Sequence, residues 1–384
     1  GLSCAYFLAL QGYKPTVFEK NPHPGGMLRY GIPSFKLEKD VIDAEIEILK
    51  ELGVEIRCGV EVGKEVTLAD LRADGYKAFY LAIGCQGGRK AGVPGEEAAG
   101  IQTAVNLLRT VGDDENYKMS GRTVVIGGGN VAIDAARVSL RCGADAVTMV
   151  CLEPRDGMPA SAEEIAEAEE EGTAIRCGYG PKEFVTENGH VTAVVLKKCT
   201  GLYNPEGRFA PTYDENDTIT LPCDNVVLSI GQCIEWGDLL DGEAVELGRG
   251  QGAVADPVTY QTAQPDVFVG GDVYTGPRFA IDAIAAGKQG AVSIHHFVQP
   301  NTSMTIGRNR REFFELDKGN LSIGEYDHTP RQQAAVDEHI DAHRSFRDAH
   351  LTLTETQVRA ETARCLGCGA SVVDPNKCIG CGVC

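Results

Sequence analysis

Apolar positions along the first 300 residues switch repeatedly between helical and strand spacing. Residues 2–12 carry apolar side chains at helical intervals, and residues 15–18 follow as a short strand. A second helical pattern covers 37–52, with strands at 54–58 and 78–83, the latter ending in Gly84. A polar, acidic connection at 112–121 interrupts this, and the alternation then restarts. It predicts a strand at 123–126, a helix at 131–140, a strand at 146–151, an acidic helix at 162–171, hairpin-like strands such as 191–197 and a closing strand at 226–230. Beyond lie an apolar strand ending at Gly270-Gly271 and a small-residue helix at 280–292. Strands that alternate with helices imply an α/β chain with parallel sheets. The doubling implies two such units, one inserted in the other. The expected parts are 1–111, an insert at 112–231, a return at 232–299, a polar connector at 300–360 with an exposed helix at 330–350, and a cysteine-rich tail at 361–384.

The insert carries the run Gly127-Gly128-Gly129-Asn130-Val131-Ala132 directly behind a strand and ahead of a helix. In that setting Gly127 permits the turn, Gly129 lets backbone approach a pyrophosphate, and Ala132 lets the helix pack close to the strand. Unpaired N–H groups at the helix start favour the phosphates. The unit is therefore expected to bind NAD(P), with Gly231 after the closing strand completing the candidates. Glu153 follows the second strand, where a carboxylate accepts from a ribose 2′-hydroxyl and repels a 2′-phosphate. That favours NADH. Arg155, two residues on, offers a phosphate partner and leaves NADPH open; a solvated surface Glu is the bland alternative.

The outer unit supplies the pieces of a second dinucleotide site. Gly1 stands as the last glycine of a similar fingerprint, with the strand that such a helix follows expected to lie before it. Glu19, with Lys20, ends the next strand where a ribose-binding acid belongs, ahead of Gly25, Gly26 and Met27. Gly84 and Gly271 close two further strands. Asp272 is placed to bind a ribityl hydroxyl, or else to cap a helix. The helix opening at Ala280 and Ile281 can aim its start at a flavin pyrimidine ring. One relay from nicotinamide to flavin accounts for both sites. The fold class is thus α/β with two Rossmann-like dinucleotide-binding domains, the NAD(P) domain inserted into the FAD domain, plus a ferredoxin-like tail expected to be cut short.

That tail reads Cys365-x2-Cys368-x9-Cys378-x2-Cys381-x2-Cys384. Three cysteines at equal spacing, with glycines between, match one 4Fe-4S cluster whose fourth ligand would follow Cys384. Zinc is the alternative for paired C-x2-C units. Cys365 and Cys368 are either ligands of a second cluster or idle. The other nine of the 14 cysteines are scattered singly, as small buried side chains of a reducing compartment would be, so a cytoplasmic location is expected. A net charge of −19 disfavours nucleic acid, and no apolar run is long enough to span a membrane. No C-x2-C or C-x4-C pair accompanies either nucleotide unit, so the redox disulfide of a disulfide reductase is not evident. His295 and His296 read as packing or surface residues rather than ligands.

At Gly25-Gly26-Met27-Leu28-Arg29-Tyr30-Gly31-Ile32-Pro33, Leu81-Ala82-Ile83-Gly84, Val93-Pro94-Gly95-Glu96, residues 125–134, Met158-Pro159 and Gly270-Gly271-Asp272, the chain resembles the small-subunit family of glutamate synthase. These FAD-dependent NAD(P)H oxidoreductases also occur in pyrimidine-reductase and bifurcating transhydrogenase modules. The resemblance implies FAD at Gly1, Glu19, Gly25, Gly26 and Asp272, a nicotinamide dinucleotide at Gly127, Gly129, Asn130 and Val131, and electrons leaving singly through iron–sulfur clusters to a redox partner subunit or ferredoxin-like acceptor. Two departures stand out. NADPH-using members carry an Arg pair where this chain has Leu152-Glu153, and the carboxyl-terminal iron–sulfur segment resembles that of larger flavoproteins. Glutamate formation would need another subunit. Two other readings stay open: an assembly subunit that binds cofactor only for structure, separated by whether NADH bleaches the flavin, and a reductase of a small molecule that needs no partner.

Overall fold

The computed structural model describes residues 1–308, 329–341, 343–365 and 378. They divide into a large unit, Gly1–Asn309 with Asp341–Asp348, and a small one, Arg310–Ile340 with Ala349–Cys384.

The large unit opens with α1 (Leu2–Leu10), β1 (Thr16–Glu19), α2 (Met27–Tyr30), α3 (Lys39–Glu51), β2 (Glu55–Cys58), α4 (Leu68–Ala73) and β3 (Phe79–Leu81). β1 and β2 pair in parallel, with Thr16 opposite Glu55. α4 starts where Thr67 and Asp70 cap each other reciprocally, satisfying two backbone donors of the first turn. The chain then leaves through β4 (Gly87–Gly88) and builds β5 (Ile101–Thr103), α5 (Ala104–Asp113), β6 (Arg122–Ile126), α6 (Asn130–Arg141), β7 (Ala146–Cys151), α7 (Ala162–Glu170) and β8 (Ala174–Cys177). An antiparallel flap of β9 (Tyr179–Glu187), β10 (His190–Tyr203) and β11 (Phe209–Pro222) follows, then β12 (Asn225–Leu228). β5, β12, β6, β7 and β8 lie in that order in one fully parallel sheet. Its strands β6 and β12 are buried almost without break, as a sheet covered on both faces requires. Ala132, Ile133, Ala135 and Ala136 of α6 are fully buried, and such small side chains let the helix lie close to the strands.

The insert therefore begins before residue 101, not at 112. β5 pairs with β12 and α5 packs on α6, so both belong to the second sheet although they continue the first unit's alternation.

β13 (Gln232–Cys233) returns beside β4, antiparallel, so the two crossings between the dinucleotide domains form one short ribbon. β14 (Val267–Val269) then pairs in parallel with β3, and α8 (Asp272–Thr275) and α9 (Ala280–Val298) complete the outer domain. α9 lies on α1, close enough that a Cβ at Gly287 would come within 2.9 Å of Cys4 N.

In the small unit α10 (Glu355–Ala363) is capped by Thr354 with Gln357. Among the described residues of 330–350 the expected helix does not form. Among the described residues of that stretch, Asp337 and Asp341 each accept a hydrogen bond from the backbone N–H two residues on, at His339 and His343, and such turns compete with helix. Among the described residues no helix is long and apolar enough to cross a membrane.

Candidate dinucleotide sites

In the inserted domain the chain leaves β6 at Gly127, whose φ of 147° suits only glycine. A Cβ there would lie 2.3 Å from the carbonyl oxygen of Ser229, just past β12, so the turn is wedged between two strand ends. Gly128 is equally enclosed: its Cβ would meet Oε2 of Glu153 at 2.8 Å and Cβ of Cys151 at 2.9 Å. Gly129 differs. Nothing lies within 4 Å of a Cβ there, and it serves as the N-cap of α6 without any capping side chain. An open glycine at an uncapped helix start, at the carboxyl edge of a parallel sheet, fits a dinucleotide pyrophosphate. Asn130 accepts a hydrogen bond from Ser161 N at 3.0 Å, and Gly128 O accepts one from Ala160 N at 3.1 Å, so the loop after β7 is fastened to the fingerprint. That loop carries Glu153, half-buried, which reaches the fingerprint as its position after β7 requires. Arg155 is paired with Glu169 of α7.

In the outer domain the candidates gather at the carboxyl ends of β1, β3 and β14 and at the starts of α1 and α9. Glu19 accepts from Asn21 N at 2.9 Å and from its side-chain amide at 2.8 Å, which fixes the carboxylate at the strand end. Lys20 is exposed. Gly25 and Gly26 both have positive φ and admit α2 at Met27. Gly1, at the head of α1, lies against Ala82, two residues before Gly84, since its Cβ would contact the Ala82 side chain at 3.7 Å. Asp272 opens α8 rather than capping it; Gly271 is the N-cap, with φ of 71°. The Asp272 side chain accepts from Arg278 N at 3.3 Å, and burial raises its carboxyl above the usual range. Cys85 Sγ reaches Asp272 O at 3.7 Å, tying the Gly84 turn to this corner. α9 starts without a capping side chain, with Ala280 exposed, Phe279 76% exposed and Ile281 67% exposed. An uncapped helix start flanked by open apolar side chains fits a flat, partly anionic ring such as a flavin's.

Arg89 and Lys36 were not among the candidates. Arg89 donates from its backbone to Gly231 O at 3.0 Å and from Nε to Gln232 O at 3.1 Å, bracing the β4–β13 ribbon. Lys36, between α2 and α3, pairs with Asp134 of α6 at 2.5 Å and with Glu164 of α7 at 2.6 Å. Beside it, Phe35 lies under the guanidinium groups of Arg137 and Arg141. Such pairings join residues far apart in the chain and leave no local pattern. His295 Nδ1 lies 2.9 Å from the Tyr13 hydroxyl, a packing role. Of the tail cysteines, Cys365 and Cys378 are exposed; Cys368, Cys381 and Cys384 lie outside the described residues.

Residues 1–287 match the pyridine nucleotide-disulphide oxidoreductase family. The chain is 37% identical over 377 residues to the NADP(+)-dependent formate dehydrogenase subunit beta of Moorella thermoacetica, covering 96% of this chain and 53% of that protein. It is 34% identical to the glutamate synthase (NADPH) small chain of Escherichia coli K12, and 33% identical to the NAD-dependent dihydropyrimidine dehydrogenase subunit PreT of Escherichia coli O157:H7, each over 78% of this chain and 66% of the relative. The chain thus spans about half to two thirds of the length of these curated relatives. Mycobacterium tuberculosis FprA in complex with NADPH shares the fold, with a TM-score of 0.63 at 19% identity, covering 77% of this chain and 82% of that one. By the extent of the match and by its relatives, the chain belongs to the pyridine nucleotide-disulphide oxidoreductase family, flavin and pyridine nucleotide enzymes with which its two crevices accord.

Proposed function

We propose that the chain is the electron-input module of a larger redox enzyme, an FAD-dependent NADH:acceptor oxidoreductase similar to the glutamate synthase small chain. The observation that carries it is the pairing of two uncapped glycine turns at strand ends, one at Gly127–Gly129 and one at Gly271-Asp272, on domains between which the chain crosses at the β4–β13 ribbon. Gly127, Gly128, Gly129 and the start of α6 (Asn130, Val131, Ala132) would hold the nicotinamide dinucleotide. Glu153 would accept from its ribose, and Gly231 would border it. Gly1, Glu19, Lys20, Gly25, Gly26, Met27 and Gly84 would hold the adenosine and phosphate parts of FAD. Gly271 and Asp272 would receive its ribityl chain, and Ala280 and Ile281 would face its pyrimidine. When bound, FAD supplies the exchange between two-electron and one-electron chemistry.

The relatives' names are divided between NAD and NADP, and Glu153 supports NADH: its carboxylate lies beside the fingerprint at Gly128, and a 2′-phosphate bound near it would face like charge. The tail Cys378, Cys381 and Cys384 would hold a 4Fe-4S cluster, with Cys365 and Cys368 serving a second centre. The partner would be a redox subunit or ferredoxin-like acceptor in the cytoplasm, where singly scattered cysteines stay reduced. Anaerobic mixing of the full-length, FAD-loaded protein with each nucleotide tests this. NADH should bleach the flavin faster than NADPH, and Leu152→Arg with Glu153→Arg should reverse the preference through charge-assisted phosphate contacts. A flavin that neither nucleotide bleaches would leave a non-catalytic assembly role instead.

A further inference from the structure

Three sulfur atoms converge at the carboxyl ends of β7 and β8. Cys151 closes β7, Cys177 closes β8, and the two are register partners across the parallel pair, so their side chains leave the same face of the sheet. Their Sγ atoms lie 3.7 Å apart, and Cys177 Sγ lies 3.9 Å from Sδ of Met158 on the loop that follows β7. Cys151 is buried, while Cys177 and Met158 are half-buried, so the trio is open on one side. The pyridine nucleotide reading uses none of these sulfurs.

We propose that Cys151, Cys177 and Met158 form a binding site for a thiophilic monovalent cation of the Cu(I) class. Metal–sulfur bonds of roughly 2.3 Å in a trigonal array hold their sulfurs about 4.0 Å apart. The two spacings about Cys177, 3.7 Å to Cys151 and 3.9 Å to Met158, need only small adjustment to reach that value. Two thiolates and a thioether form a wholly soft donor set, which selects Cu(I) over cations that prefer oxygen or imidazole. Binding one ion releases the two thiol protons.

The site also reaches the nucleotide crevice. Cys151 Sγ lies 3.6 Å from the carbonyl oxygen of Glu153, and the same oxygen accepts from Gly178 N at 3.1 Å, one residue past Cys177. A cation that takes both sulfurs removes the thiol donor from Glu153 and shifts the strand ends that hold it. Occupancy and NADH binding therefore oppose each other, and linkage makes the effect reciprocal. This consequence rests on the proposed role of Glu153; the site itself does not.

The test uses full-length protein, loaded with FAD and iron–sulfur and kept anaerobic, titrated with Cu(I) buffered by a bathocuproine chelator. Wild type should take up one more Cu(I) per chain than Cys177→Ser, and the additional copper should show three sulfur neighbours by X-ray absorption. Met158→Leu should drop that to two and weaken binding by about tenfold. Copper should raise the Kd for NADH by about tenfold in wild type and leave it unchanged in Cys177→Ser. Equal copper uptake by wild type and Cys177→Ser overturns the site. Copper uptake with an unaltered NADH Kd overturns the coupling. NADH titration without copper is read separately: protein that takes up copper as expected but binds no NADH keeps the site and loses the functional reading.

Discussion

Two neighbouring glycines of the fingerprint serve opposite ends, and a methyl group separates them. At Gly127 an added Cβ meets Ser229 O at 2.3 Å and sits on a backbone with φ of 147°, so Gly127→Ala forces β6 and β12 apart. At Gly129 the same methyl meets nothing within 4 Å, and φ is −94°, which any residue adopts. Gly127→Ala should lower the melting temperature of the nucleotide-free protein. Gly129→Ala should leave melting unchanged and still weaken NADH binding by about tenfold, roughly 1.4 kcal/mol, because the methyl occupies the path of the pyrophosphate. Thermal melts paired with NADH titrations separate the two. Weak binding with a lowered melt in both variants would mean that Gly129 is structural.

Among the elements, α6 and α7 are held by a charge cluster that also grips the segment between α2 and α3. Arg137 and Arg141 are buried, and both reach Glu171, at 2.6 Å each, while Phe35 packs under both guanidinium groups. Arg141 Nε further donates to Ser345 O, and His343 Nδ1 lies 3.2 Å from Glu171 O, so His343 and Ser345 fasten to the same cluster. Glu171→Gln leaves two buried guanidinium groups short of their shared carboxylate and should cost about 3 to 5 kcal/mol in urea unfolding. Asp134 in the same helix behaves differently. Burial outweighs the nearby Lys36 ammonium and pushes its carboxyl up to about 6 from the ordinary 3.8. A raised folded value means that its stabilising share is complete below about pH 4 and is lost as pH rises through about 6. The stability of wild type relative to Asp134→Asn should therefore fall between those limits and level off above them, as urea midpoints across that range will register. Periodicity and glycine punctuation were enough to read β6, α6, β7 and α9 from the chain, with Ala146–Cys151 matching to the residue. Glu153 beside the fingerprint was legible for the same reason, since a strand-end acid follows from strand length. The start of the insert was not legible, because β5 has three residues and its membership depends on pairing with the distant β12. Lys36 escaped likewise: its partners lie on α6 and α7, and its own neighbourhood shows only a proline-marked turn.

At the scale of the whole molecule, two dinucleotide crevices and a cysteine tail on one chain pose a counting problem that only a chain of carriers solves. Nicotinamide gives electrons in pairs and iron–sulfur centres take them singly, so on the proposed reading the flavin would convert the one supply into the other. The proposed tail ligands Cys381 and Cys384 fall outside the described residues. Cys381→Ser removes one cysteine of the three at equal spacing and would expose an iron of the proposed cluster to solvent. In full-length protein it should spare the bleaching of flavin by NADH and abolish reduction of a one-electron protein acceptor. Iron and sulfide should fall together in the variant after anaerobic purification. If the intact protein instead carries stoichiometric zinc, with no iron or sulfide assignable to the tail, the segment is a structural knuckle. The electrons must then leave from the flavin crevice itself, and Cys381→Ser would lower stability without altering the rate at which the acceptor is reduced.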